Sequence, residues 1–295
     1  MTHAAFTCRI GDMRITRIDE TGFALAPGTL YPEWSDASAG ELARRVGHAS
    51  LDLDADRVPL RTHLWVVEKD GLTIVVDTGI GNGKPRPFSA LFDRLDNPVI
   101  QRFEAAGFDR FEVDHVLLTH LHVDHVGWNT QWEDGRWTPV FPNATHVFGE
   151  RERAFFDTHE SEPRRMVYED SVLPLIEAEL TRVIPDEGAT LVEGIRFRPT
   201  FGHSVGHMAI EMESRGELAL FSGDVMHSPI QVYRPQWRSI FCRQPDQARG
   251  ARAWLLDRAA DRHAAVFTAH FPETSAGRIE RTAEGFAWTY LAANE

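Results

Sequence analysis

Cysteine is almost missing. Cys8 and Cys242 stand far apart in 295 residues, so neither a disulfide framework nor a cysteine-rich zinc site can form, and a reducing compartment is expected. Long hydrophobic runs are missing too: the apolar stretches at 64–67 and 73–76 stop within a few residues, far short of the ~20 needed to cross a bilayer, which leaves no membrane partner. The first twenty residues carry charges every few positions where a signal peptide has its apolar run, so the expected location is cytoplasmic. Basic charge is scarce. Lys and Arg number 31 against 44 acidic residues, a formal charge of −13, and such a surface repels the phosphates that a nucleic-acid binder must neutralise. There is no repeat, low-complexity tract or Pro/Ser/Gly linker, so one α/β domain over residues 1–295 is the economical reading. Histidine, at fourteen, is the excess.

The pattern along the chain is strand-rich and broken by helices. Residues 13–18, 62–68 and 72–77 read as strands, the last two joined by Asp70-Gly71, a hairpin signal. Leu91, Leu95, Val99 and Phe103 recur at helical spacing and predict a helix over 88–106, ended by Gly107. A strand at 113–118 follows. Residues 150–184 have apolar positions at helical spacing, which predicts an insertion of two helices. Strands return at 190–198, 209–212 and 218–221, then a long helix at 246–262 and a strand at 265–268, with a short tail after His270. Such an order points to a layered α/β sandwich.

The chemistry is announced by Thr119-His120-Leu121-His122-Val123-Asp124-His125 directly after the strand Val116-Leu117-Leu118. On an extended segment His120 and His122 face one side, while Asp124 and His125 on the next turn reach a neighbouring point, so four ligands can converge on two adjacent metals. Further ligands have the same strand-then-ligand placement: His203 in Gly202-His203-Ser204-Val205-Gly206-His207, Asp224 after Phe221-Ser222-Gly223, where a carboxylate can bridge, and His270 after Val266-Phe267-Thr268. Taken alone, a His or Asp at a strand end is more often a capping or hydrogen-bonded surface residue than a ligand.

Taken together, HxHxDH followed by His, Asp and His at strand ends resembles the metallo-β-lactamase-fold superfamily over nearly the whole chain. The resemblance implies a four-layer αββα sandwich with a dinuclear site at the sheet edge. One metal would take His120, His122 and His203, the other Asp124, His125 and His270, with Asp224 bridging. Asp77, in Val76-Asp77-Thr78-Gly79, would brace the metal loop without ligating, and His207 would support. Two Zn(2+) are implied, with Mn, Co or Fe also suited to nitrogen and oxygen ligands. Such a pair lowers the pKa of a shared water towards ~7 and supplies a hydroxide nucleophile, while Asp124 carries a proton to the leaving group.

Within the superfamily, the exported β-lactamases lack support for want of a signal peptide, and the nucleases for want of basic surface. Flavodiiron proteins carry a glutamate where His122 stands, and glyoxalase II a helical C-terminal domain that is not evident after His270. The single-domain acyl-homoserine lactonases and parathion-type hydrolases remain. His227, where many lactonases have tyrosine, would then donate to a substrate oxygen, or be a structural histidine. The expected partner is a small lactone or ester. A phosphotriester or sulfate ester on the same site is the alternative, and a metal that merely holds the fold is a third. Trp128, Phe155, Phe156, Trp237 and Phe241 would line a pocket or belong to the core. Arg234, Arg238 and Arg243 would clamp a carboxylate or form surface ion pairs. A homodimer through the insertion and the arm at 1–10 is an analogy only.

Overall fold

The computed structural model describes residues 5–293. Its chain forms two compact units, one made of residues 5–21 and 62–186, the other of 22–61 and 187–293. Of the arm at 1–10, the first four residues lie outside the described ones, and Thr7–Ile10 is an edge strand. No described helix is long and apolar enough to cross a membrane.

In chain order the strands of the first sheet are β1 (Thr7–Ile10), β2 (Met13–Leu25), β3 (Val58–Lys69), β4 (Leu72–Val76) and β5 (His115–Leu117). A separate hairpin of β6 (Thr130–Glu133) and β7 (Arg136–Pro139) follows, then β8 (Thr145–Gly149) and β9 (Thr181–Ile184) complete the sheet. The spatial order is β1-β2-β3-β4-β5-β8-β9. The expected hairpin joins β3 to β4. Asp70 and Gly71 both have positive φ, 52° and 82°, as a two-residue turn of matching twist demands. From β4 to β9 the strands run parallel, so the segments after β4 and β5 leave the sheet at one edge, where open α/β sheets place their ligands. Ile18, Leu64, Val75, Phe103, Val116 and Phe148 are among the buried side chains of this unit's core.

The second sheet holds β10 (Thr190–Val192), β11 (Ile195–Pro199), β12 (Met208–Ser214), β13 (Glu217–Gly223), β14 (Ala265–Thr268), β15 (Ala276–Thr282) and β16 (Gly285–Tyr290), in that spatial order. β11 and β13 are each antiparallel to β12, and β14 is parallel to β13. All three therefore end at the same edge.

Three expectations need correction. The helix expected at 88–106 is confined to Val99–Ala105. Pro98 disfavours a helical Asn97 and lacks the N–H that a continuing helix would use, and Arg94 at φ 46° breaks the segment before it. In the insertion the helices are Glu150–Phe155, Arg165–Ser171 and Leu173–Glu177, and the segment ends not in helix but in β9, paired with β8. The tail after His270 is the antiparallel pair β15 and β16.

The insertion is tied down by a buried charge cluster. Arg86 forks onto Asp170 at 2.6 and 2.9 Å, while the fully buried Lys84 ammonium donates to Thr130 Oγ1 at 2.7 Å and to the Asp170 carbonyl at 3.0 Å, and lies 4.0 Å from the Trp137 ring centre. Two cations share one carboxylate. Burial pushes the Lys84 ammonium down to about 7, opposed by Asp170 and reinforced by Arg86. Between pH 7 and the ordinary lysine value of 10.5, the unfolded chain binds a proton that the folded chain has released, so stability contributed by this group rises with pH across that window. The expected result in urea titrations at pH 7, 8.5 and 10 is that wild type gains on Lys84→Met as pH rises; a difference that stays flat contradicts the assignment.

Packing at the first sheet's edge is set by Gly127. A Cβ there would lie 1.9 Å from the carbonyl carbon and oxygen of Ile80, both main-chain atoms that cannot swing aside. Gly127→Ala is expected to destabilise the protein by about 3 kcal/mol or more, read as a lower urea midpoint with unchanged m-value.

Candidate metal centre

In the first unit, parallel pairing sets Val76 of β4 opposite Leu117 of β5, and the Asp77 amide donates to the Leu117 carbonyl at 3.0 Å. Asp77, at φ 52°, is thereby turned toward the segment leaving β5. Its Oδ1 accepts the Thr119 amide at 2.8 Å, and its Oδ2 accepts both the Thr119 hydroxyl and His125 Nδ1, each at 2.8 Å. A carboxylate only accepts here, so His125 carries its proton on Nδ1 and keeps a lone pair on Nε2. The Thr119 hydroxyl, having given its proton to Asp77, accepts from His120 Nδ1 at 3.1 Å, which leaves His120 Nε2 as a donor to metal as well. This is the carboxylate–histidine arrangement that orients metal ligands.

The loop is short and closely held. The rings of His120 lie 4.5 Å from His122 and 4.1 Å from His125, and Asp124 Oδ1 is 3.9 Å from His125 Nε2. Thr78 donates its amide and hydroxyl to the His125 carbonyl, and buried Glu152 accepts the Leu121 amide at 3.0 Å.

A further carboxylate supports this edge from below. Glu20 accepts the amides of Ile80 and Gly81 and the Trp128 indole N–H at 2.7 to 2.9 Å. Burial raises its pKa, although these hydrogen bonds work against the shift. Nothing in the local sequence marks Glu20 or Glu152, since each acts on residues far away in the chain.

In the second unit, the segments following β11, β13 and β14 bring His203, Asp224, His227 and His270 together. Asp224 Oδ1 lies 2.9 Å from His270 Nε2, and Oδ2 lies 3.2 Å from His203 Nε2 and 3.3 Å from His227 Nε2. All four side chains are buried. His270 Nδ1 donates to the Arg61 carbonyl at 2.8 Å, so its Nε2 presents a lone pair. Neither ring nitrogen of His227 has a hydrogen-bond partner among the described residues. His207 is different: Nε2 accepts the Asp224 amide at 2.9 Å and Nδ1 donates to Thr200 Oγ1 at 2.8 Å. One nitrogen holds the Asp224 main chain and the other fixes the ring on Thr200, so neither is left for a cation.

The donor set fits divalent cations. The buried Asp224 carboxylate with the His203 and His270 nitrogens at 3.2 and 2.9 Å offers nitrogen and oxygen ligands without thiolate, a set suited to Zn, Mn, Co or Fe. Burying such a group without a cation is costly.

Most of the expected pocket aromatics belong to the core. Phe156 is buried and stacks on Tyr168 at 4.8 Å, Phe155 packs beside it, Trp128 is buried, and Trp237 packs on Tyr31 and Trp34. Phe241, by contrast, is 45% exposed and its ring lies 5.8 Å from that of His227. Arg234 and Arg238 are ion-paired to Glu41 and Glu33, the surface alternative. Arg243 is exposed, and its main-chain N–H holds the His203 carbonyl at 3.0 Å.

A family model of the metallo-beta-lactamase superfamily matches residues 57–270. Among curated proteins, the probable metallo-hydrolase YybB of Bacillus subtilis (strain 168) is 25% identical over 205 residues, 65% of this chain and 77% of that one. Among solved structures, the hydrolase AbOPH of the beta-lactamase superfamily superposes with a TM-score of 0.83 at 21% identity, covering 100% of both chains. The dizinc quorum-quenching lactonase AidC, in complex with a product N-hexanoyl-L-homoserine, superposes at 0.79 with 19% identity over 99% of both. With HxHxDH on the edge of one sheet and His, Asp and His on the edge of the other, the chain belongs to the metallo-beta-lactamase superfamily, as a metallohydrolase with its mixed α/β fold of two large sheets and helices.

Proposed function

We propose that the protein is a dinuclear metal hydrolase that opens a small lactone or ester. His120, His122 and His203 would hold one divalent ion and Asp124, His125 and His270 the other, with Asp224 shared between them and zinc as the resident metal. The observation that carries this reading is the buried Asp224 carboxylate facing the ring nitrogens of His203 and His270 at 3.2 and 2.9 Å. When bound, the ions supply Lewis acidity, lowering the pKa of water and polarising a carbonyl oxygen.

The chain's own residues do the rest. Asp77 and Thr119 hold His120 and His125 in the tautomer that turns Nε2 toward a cation. The Asp124 side chain is less buried than that of Asp224, 15% against 5% exposed. It can therefore take a proton from the attacking water and pass it to the departing alkoxide. His227 donates a ring N–H to the substrate oxygen as charge develops there. Ile240 and Phe241, both exposed apolar side chains beyond His227, offer a surface to a neutral substrate rather than to a charged one. A lactonase with bound product shares this fold, which makes lactones the first substrates to test.

Elemental analysis of purified protein is expected to give two ions per chain. Prolonged chelation should abolish turnover, with recovery on adding zinc, manganese or cobalt. His120→Ala and Asp224→Asn should each lose both metal and activity; full activity in His120→Ala contradicts the reading. In a panel of chromogenic lactones, aryl esters, phosphotriesters and sulfate esters, the lactones or aryl esters are expected to turn over fastest, and faster phosphotriester cleavage would establish the alternative. His227→Ala should keep both ions while kcat falls about 10²- to 10³-fold.

A further inference from the structure

The last long helix, α1 (Pro245–Asp261), buries a guanidinium that makes no salt bridge among the described residues. Arg252 is fully buried, and Glu33 acts on it through charge alone, without a hydrogen bond. Its near neighbours Tyr31 and Cys242 are themselves kept neutral, as burial raises the pKa of both. A buried cation with no counter-charge in contact is costly, and methionine would fill the space without that cost. What the guanidinium gains is main chain: Nε donates to the Val225 carbonyl at 3.1 Å, and Nη1 to the Pro235 and Trp237 carbonyls at 2.7 and 2.8 Å.

Those three carbonyls bound the segment that carries His227. Inside it, Gln231 Oε1 accepts the His227 amide at 2.7 Å, and Gln231 Nε2 donates to the Trp237 carbonyl at 3.1 Å, the same oxygen that Arg252 holds. An unbroken line of hydrogen bonds thus runs from α1 through Trp237 and Gln231 to the backbone of His227. The amino end of the same helix holds a second ligand loop. The amides of Arg243 and Gln244 donate to the carbonyls of His203 and Gly202, and a Cβ on Gly202 would lie 2.1 Å from the Ala248 nitrogen.

We propose that Arg252 is the positioning residue of His227, fixing the 225–237 segment from α1 so that the imidazole stands beside Asp224 where a substrate oxygen can meet it. This rests on the role given to His227 above. The test is a double-mutant cycle in the metal-loaded enzyme with Arg252→Met, His227→Ala and the pair together, and with Arg252→Lys as the conservative variant that keeps the charge. Arg252→Met is expected to retain two ions per chain, to lower kcat about 10- to 100-fold with KM little changed, and to cost nothing further once His227 is already alanine. Arg252→Lys should recover part of kcat. If Arg252→Met does not fold, Arg252→Lys takes its place in the cycle with the same non-additivity expected. Wild-type kcat in either variant, or losses that multiply in the double variant, overturns the proposal. Full activity in His227→Ala overturns the reading of His227 and this proposal with it, whereas a slow His227→Ala with multiplying losses overturns the role of Arg252 alone.

Discussion

A carboxylate that accepts from a histidine decides which of the two ring nitrogens is left over, and much of the chemistry of this protein depends on that choice. Asp77 is the case in point. With both oxygens engaged by Thr119 and His125, it sets the proton on His125 Nδ1 directly and on His120 Nδ1 through the threonine hydroxyl. The main-chain carbonyl of Arg61 does the same for His270. An imidazole free to choose would divide itself between tautomers, one of which turns an N–H at the cation. These acceptors remove that choice before any metal arrives.

The sheets make this possible by geometry alone. β4 and β5 are parallel and adjacent, so Asp77 and Thr119 leave their strands side by side although 42 residues separate them. β11, β13 and β14 share a direction, so the segments leading to His203, Asp224 and His270 leave at one edge. A strand end is a rigid mount followed at once by a flexible loop, which suits a ligand that must be placed accurately on a chain that must still turn. The supports behind it are costly ones: Glu20 and Lys84 are both shifted toward neutrality by burial. Each is held by several hydrogen bonds, Glu20 by two amides and the Trp128 indole and Lys84 by Thr130 and Asp170, where apolar residues would simply have packed.

The parts of this arrangement that could be read from the amino-acid order are those written in adjacent residues. HxHxDH is local, the Asp70-Gly71 turn is local, and the long helix appears within one residue of its expected limits, 246–262 against Pro245–Asp261. The short continuous apolar runs in 265–268 and 218–221 likewise mark real strands, buried at every one of those positions. The failures have a common physical origin. The apolar period over 88–106 is genuine, but Asn97-Pro98 breaks the backbone beneath it, and Leu91 ends half exposed. Thr181–Ile184 has too few residues to show a period of two, and its pairing with β8 is a long-range matter. The β6–β7 hairpin did carry a signal in Asp134-Gly135, at φ 50° and 83°, that flanking tryptophans and charges obscured. Glu20, Glu152 and Arg252 are invisible in principle, because their partners lie 60, 31 and 27 residues away and a lone charged residue reads as surface.

The grip of Arg252 falls on carbonyl oxygens, which every amino acid possesses. Replacement of the side chains at 225 or 237 leaves those three acceptors in place, and Ile240 and Phe241 lie beyond the last of them. The loop that borders His227 is therefore anchored by a contact indifferent to its own sequence. Substrate preference can drift through changes at its exposed tip while the histidine beneath stays where it is, and a lineage carrying this scaffold can sample new substrates without first dismantling the centre that would act on them.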